Sequence, residues 1–124
     1  MHAFTITRVY ANKNGDSCFQ DVVKTLHPAG DIGFLSDAEE AGHVIFRKVI
    51  PGYDYDFHTA PARQYIILLD GRIEIETSLG EKRQFGAGDI LLVEDTTGKG
   101  HRTRNLIQAE RKSIFITLPD RPKT

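Results

Sequence analysis

The sequence has almost none of the cysteine that stabilises many small proteins through disulfides or zinc sites. It contains one cysteine, Cys18, and no tryptophan among 124 residues. A single cysteine cannot form an intrachain disulfide, and the absence of a disulfide fits a reducing compartment. A zinc site built from several cysteines is excluded as well. No apolar run approaches the roughly 20 residues that a membrane-spanning helix needs, and the N-terminus has no signal-peptide core. We therefore expect a cytoplasmic protein.

The sequence also lacks an excess of charge of either sign. Sixteen Lys and Arg residues stand against 17 Asp and Glu residues, and the net charge is −1. This balance gives no reason to expect nucleic acid or a membrane surface as the partner. The length is that of one domain, large enough to bury a core without disulfides. We expect a single domain over residues 1–124.

Strand signals dominate what is present. Ile, Val, Phe, Tyr and Thr gather in short runs bounded by Gly, Pro, Asp and Asn, which is typical of β-strands. The predicted strands are 4–10, 19–26, 44–50, 57–59, 64–69, 72–77, 81–85, 90–94, 102–106 and 113–118. Ser36 can cap a short helix over 36–41, which Gly42 would end after at most one turn. Strands at this turn spacing predict an all-β sandwich or barrel.

Two segments punctuated by glycine each bring one histidine to a strand end. The first contains His58 and the second contains His101. On adjacent strands the two would form a metal or substrate site. If residues 53–58 are extended, alternation places Asp54, Asp56 and His58 on one face and the aromatic residues between them on the other.

These segments resemble the two sequence motifs of the cupin family, over about residues 44–118. Ala60 and Gln64 stand where the family has its second histidine and its glutamate, and Thr96 replaces a proline. The positions that match are Gly52, His58, Gly71, Gly88, Gly98, His101 and Asn105. The resemblance implies a double-stranded β-helix, a jelly roll of two packed antiparallel sheets with an interior pocket. It also implies a homodimer, which the extra strands in residues 1–43 would help to form.

The resemblance places His58, Gln64 and His101 on the family's metal-ligand positions. The ion would be one divalent transition metal, such as iron, manganese, nickel or zinc. Gln64 supplies no charge, so binding would be weaker than in an intact motif, and Asp56 would supply charge only if its strand turned inward. Alternatively, the histidines act as acid and base without metal, and Gln64 fixes the tautomer of His58.

Three further residues are candidates for binding the substrate. Arg47 lies in an otherwise apolar strand, and an inward arginine would bind a carboxylate or phosphate. Phe46 is its neighbour in that strand, and Tyr55 near the pocket mouth would stack on or hydrogen-bond to a ligand. Other arginines near the motifs are interpreted as outer-face ion pairs: Arg63, Arg102 and Arg104, with partners among Glu74, Glu76, Glu94 and Asp95.

Three function classes remain open for a small polar metabolite in this pocket. The first is a metal-dependent enzyme of the dioxygenase, isomerase or lyase type, and the second is a metal-free dehydratase or isomerase with His58 or His101 as the base. The third is a binding or sensor module without catalysis. The fold does not separate them, because one fold hosts many functions.

Overall fold

A computed structural model describes residues 2–120, which form twelve strands and one 3-10 turn, Gly30–Ile32. All ten predicted strands are present, with boundaries shifted by a few residues. The strands are β1 (Ala3–Ala11), β2 (Ser17–Thr25), β3 (His27–Pro28), β4 (Phe34–Leu35), β5 (Val44–Val49), β6 (Asp54–His58), β7 (Gln64–Leu68), β8 (Arg72–Glu76), β9 (Lys82–Gly86), β10 (Ile90–Val93), β11 (His101–Asn105) and β12 (Arg111–Thr117). The very short β3 and β4 were not predicted.

The strands form two main sheets that pack face to face. One sheet has the order β2-β1-β10-β7-β12-β5, the other has the order β6-β11-β8-β9, and β3 pairs with β4. Neighbouring strands are antiparallel, apart from β1 and β10, which run parallel. The predicted all-β fold of packed antiparallel sheets is confirmed at this level. Over residues 2–120 the strands do not close into a barrel.

Alternating burial along the strands places the core between the sheets. On β8, Ile73 and Ile75 are buried while Arg72 is exposed, as expected for a strand with one wet face. The facing sheet contributes buried residues of β7 and β10 to the same layer. The core residues are Ala60, Leu68, Ile73, Ile75, Phe85, Leu91 and Val93.

The helix predicted over residues 36–41 is wrong. These residues are irregular, and the Ser36 hydroxyl donates to the Asp37 carbonyl instead of capping a helix. Glu39 is held by the Tyr65 hydroxyl and by Lys24 on the outer face of the large sheet. A six-residue helix has little intrinsic stability, so these side-chain contacts decide the conformation.

The N-terminal strands β1 and β2 extend the sheet that also contains β5, β7, β10 and β12. β1 pairs with β10, and the Glu94 carboxylate that follows β10 accepts hydrogen bonds from Arg8 and Arg63, each at 2.5 Å. The Glu94 side chain is only 3% exposed, so one buried carboxylate ties β1 to the segment before β7. No helix within residues 2–120 is long and apolar enough to cross a membrane.

Candidate functional site

The two motif histidines lie opposite each other on neighbouring strands. His58 ends β6, His101 begins β11, and the two residues are partners in the antiparallel pairing. Their ring centroids are 4.9 Å apart. Gly100, immediately before His101, has a positive φ of 74° and packs against the backbone of His58. The predicted meeting of His58 and His101 at adjacent strand ends therefore occurs in the structure.

A buried carboxylate orients His101. Asp95 is fully buried, and its Oδ2 lies 2.6 Å from the His101 Nδ1. An ionised carboxylate only accepts hydrogen bonds, so Nδ1 carries the proton and the Nε2 of a neutral ring keeps its lone pair. The interpretation of Asp95 as an outer-face partner for an arginine is wrong. Leu91, Val93 and Asp95 alternate inward, and this pattern in the sequence could have located Asp95.

His58 is oriented in the same way by a backbone group. Its Nδ1 lies 2.8 Å from the carbonyl oxygen of Asp56. A carbonyl also only accepts, so this ring too keeps Nε2 free. The Asp56 carboxylate is exposed and accepts from the Phe57 backbone N–H. Asp56 thus contributes its carbonyl rather than its charge.

An irregular step in the pairing changes which side chains share a face. His101 pairs with His58 but Thr103 pairs with Tyr55, so β6 carries one more residue than β11 over this interval. Such a bulge reverses the alternation. Tyr55 and His58 then lie on the same side, with ring centroids 4.0 Å apart. The expectation that Tyr55 would face away from His58 is wrong, and contact of Tyr55 with a ligand stays a prediction.

A cavity of about 330 Å³ lies between the sheets beside the histidines. Five of the six candidate site residues line it, namely Arg47, Tyr55, His58, Gln64 and His101. The rest of the wall is mainly aliphatic. It includes Ile66, Leu68, Ile73, Ile75, Leu91 and Val93. The volume is at the low end of the range for small-molecule pockets, and the mixture of an apolar wall with a few polar groups is typical of them.

Phe46 is the candidate that the structure does not bring to the cavity. It is 79% exposed on the outer face of the sheet, because β5 alternates and Arg47 takes the inward position. The other arginines named above form ion pairs outside the cavity. Arg63 pairs with Glu94, Arg102 with Asp54 and Arg104 with Glu74.

Gln64 is buried on the inward face of β7. It makes no hydrogen bond to either histidine within residues 2–120, so the tautomer of His58 is fixed by Asp56 and not by Gln64. No group of three or more His, Cys, Asp or Glu in this part of the chain could hold a metal ion. The available donors are two imidazoles and one amide, a set that carries no negative charge.

Sequence analysis missed a second arginine in the cavity. Arg111, the first residue of β12, is 2% exposed, and its Nε donates to Asn105 Oδ1 at 2.9 Å. Asn105 is held in turn by donating to the carbonyls of Ile50 and Pro51. The motif asparagine therefore positions Arg111. The only signal in the sequence was the alternation of Arg111, Ser113 and Phe115 along the last strand.

Comparison with known proteins adds no argument about the fold or the site. No family model matches the chain, and no curated protein matches it. Among solved structures it is similar to protein NMB1881 from Neisseria meningitidis, at 18% sequence identity and a TM-score of 0.49. The alignment covers 66% of this chain and 84% of that one. A likeness at this level carries no information on activity.

Proposed function

We propose that the chain is a cupin-type double-stranded β-helix and an enzyme that transfers protons on a small metabolite in its cavity. His58 and His101 are the acid–base pair. The observation that carries this proposal is the buried 2.6 Å contact between Asp95 and His101 at the cavity wall. It fixes the ring in the tautomer that accepts a proton at Nε2, and it stabilises the imidazolium that then forms.

His58 supplies the second half of an acid–base pair. Its Nδ1 is also engaged by an oxygen, and its ring lies 4.9 Å from that of His101. One ring therefore takes a proton at Nε2 while the other, when protonated, returns one to a different atom of the substrate. Proton removal next to a carbonyl followed by return elsewhere is the chemistry of isomerisation and dehydration.

Deuterium exchange tests this function without knowledge of the product. We expect the protein to exchange the C–H next to the carbonyl of at least one small oxo acid or hydroxy acid in D₂O, measured by proton NMR. His101→Gln should slow the exchange by about 100-fold or more. His43→Gln, an exposed histidine outside the cavity, is the matched control. Exchange of no acid by folded protein, or equal exchange in both variants, would overturn the proposal.

A metal-dependent reaction is the second candidate. It is supported by the oxygen partners on both Nδ1 atoms, since metal-bound histidines usually donate their other N–H to an oxygen. His58, His101 and Gln64 would hold the ion. A bound divalent metal would polarise a substrate carbonyl.

Elemental mass spectrometry tests the metal directly. On this second candidate, untagged protein equilibrated with iron, manganese, nickel or zinc and then desalted retains a stoichiometric ion. His58→Gln and His101→Gln lose the ion, and His43→Gln keeps it. An unmodified chain that retains no metal after equilibration excludes this candidate and leaves the acid–base proposal standing. The homodimer and the cytoplasmic location stay predictions.

A further inference from the structure

The cavity contains a buried guanidinium group with no acidic partner. Arg111 makes one hydrogen bond, to the neutral Asn105, and its Nη2 has no partner within residues 2–120. Burial of the group and, after it, the nearby Arg47 lower the pKa of Arg111, and the smaller opposing effects of Tyr53 and Asp70 do not offset them. An arginine remains charged even so, and a buried charge without a counter-ion destabilises the protein.

A second cation lies beside it. The Arg47 guanidinium carbon is 5.0 Å from the centre of the Tyr53 ring, and that of Arg111 is 5.6 Å from the same ring. No ion pair joins Arg47 to an acid in the described part of the chain. By contrast, five arginines elsewhere have acidic partners: Arg8, Arg63, Arg83, Arg102 and Arg104. Arg47 and Arg111, which have no acidic partners in this part of the chain, therefore both lie beside the Tyr53 ring and both line the cavity.

We infer that Arg47 and Arg111 form an anion subsite, and that the substrate is a small carboxylic acid. Its carboxylate would accept from the Nη2 of Arg111 and from Arg47, and this would supply the missing negative charge. Tyr53, Tyr55 and His58 form a continuous series of ring contacts from the arginines to the histidines. The placement of the reacting carbon at the histidines rests on the proposed function, whereas anion binding does not.

The volume of the cavity limits the size of the acid. At about 330 Å³, it accommodates a short chain or a single ring between the arginines and the histidines. A phosphate group carries more negative charge than a carboxylate and could bind the same two arginines. Inorganic phosphate is therefore one of the probes, so that binding of phosphate can be distinguished from binding of a carboxylate.

Paired ligands test the subsite by binding alone. The probes are butanoate, lactate and benzoate, each compared with its primary amide, and inorganic phosphate, titrated at constant ionic strength and followed by NMR shifts. We expect at least one acid to bind about 10-fold or more tightly than its amide. Arg47→Gln and Arg111→Met should each weaken that acid by about 10- to 100-fold. Arg111→Met fills the buried position with an uncharged, unbranched side chain, and Arg47→Gln alters a half-buried residue. At least one of the two variants should therefore fold.

Arg72→Gln is the matched control, because Arg72 is exposed on the outer face of β8 and has no acidic partner among residues 2–120. It should bind the acid as tightly as the unaltered chain. Equal binding of acid and amide, equal losses in Arg72→Gln, or binding of phosphate without any carboxylate would overturn the inference. Acid binding without exchange of any C–H overturns the proposed function alone, and exchange with equal acid and amide binding overturns the subsite alone.

Discussion

Replacing Gly100 by alanine should lower the free energy of unfolding by at least about 3 kcal/mol. Gly100 has a φ of +74°, which costs an L-residue about 1–2 kcal/mol. A Cβ atom there would lie 2.1 Å from the His58 carbonyl oxygen and 2.8 Å from the Thr59 nitrogen. Both are backbone atoms, so the clash is relieved only if the His58 and His101 segments separate. The variant should therefore lose both stability and the alignment of the two imidazoles.

Gly88→Ala separates the clash from the backbone penalty. Gly88 has a φ of +87°, and a Cβ atom added there would have no neighbour within 4 Å. The substitution should cost only the conformational penalty of about 1–2 kcal/mol. Urea unfolding of the two variants measures the difference. If both lose the same stability, Gly100 does not approach the His58 backbone closely.

Replacing Asp95 by asparagine should lower the rate of C–H exchange by about 1000-fold or more while leaving the fold intact. The amide has the size of the carboxylate but no charge, and either its oxygen or its NH₂ group can face His101 Nδ1. The ring is then no longer held in the tautomer protonated at Nδ1, and no carboxylate stabilises the imidazolium that forms when Nε2 takes a proton.

Nitrogen-15 NMR of the His101 ring reports the tautomer apart from activity. We expect the ring protonated at Nδ1 to give way, at least in part, to the ring protonated at Nε2 in Asp95→Asn, and to persist in Asp54→Asn. Asp54 pairs with Arg102 on the exposed face of the small sheet and is the matched control. Full exchange activity with a reversed tautomer would show that His101 is not the base.

Most of the fold could be predicted from local patterns. Alternation and turn residues located ten strands, and the glycine-bounded segments indicated that His58 and His101 meet. These signals are local, since each depends on residues within one strand or its adjoining turn. The position of Phe46 was open to the same argument, because two adjacent residues of a strand cannot both face the cavity.

The rest of the site depends on pairings between distant segments. Arg111 reaches the cavity because β12 inserts between β7 and β5, and strand order cannot be read from one strand. Tyr55 shares a face with His58 because β6 carries a bulge relative to β11, and a bulge is defined only by the partner strand. Both are properties of the assembled sheets.

The parallel pairing of β1 with β10 has a consequence for self-association. β10 is an uncharged run, Ile90–Val93, and without β1 its backbone donors and acceptors would form an apolar sheet edge open to other chains. β1 pairs with it through Thr7, Arg8 and Val9, and the open edge is then that of β2. There Gln20, Asp21 and Lys24 are exposed or half-exposed polar side chains, which discourage edge-to-edge addition of strands. The N-terminal hairpin thus replaces an uncharged sheet edge by one that carries polar side chains.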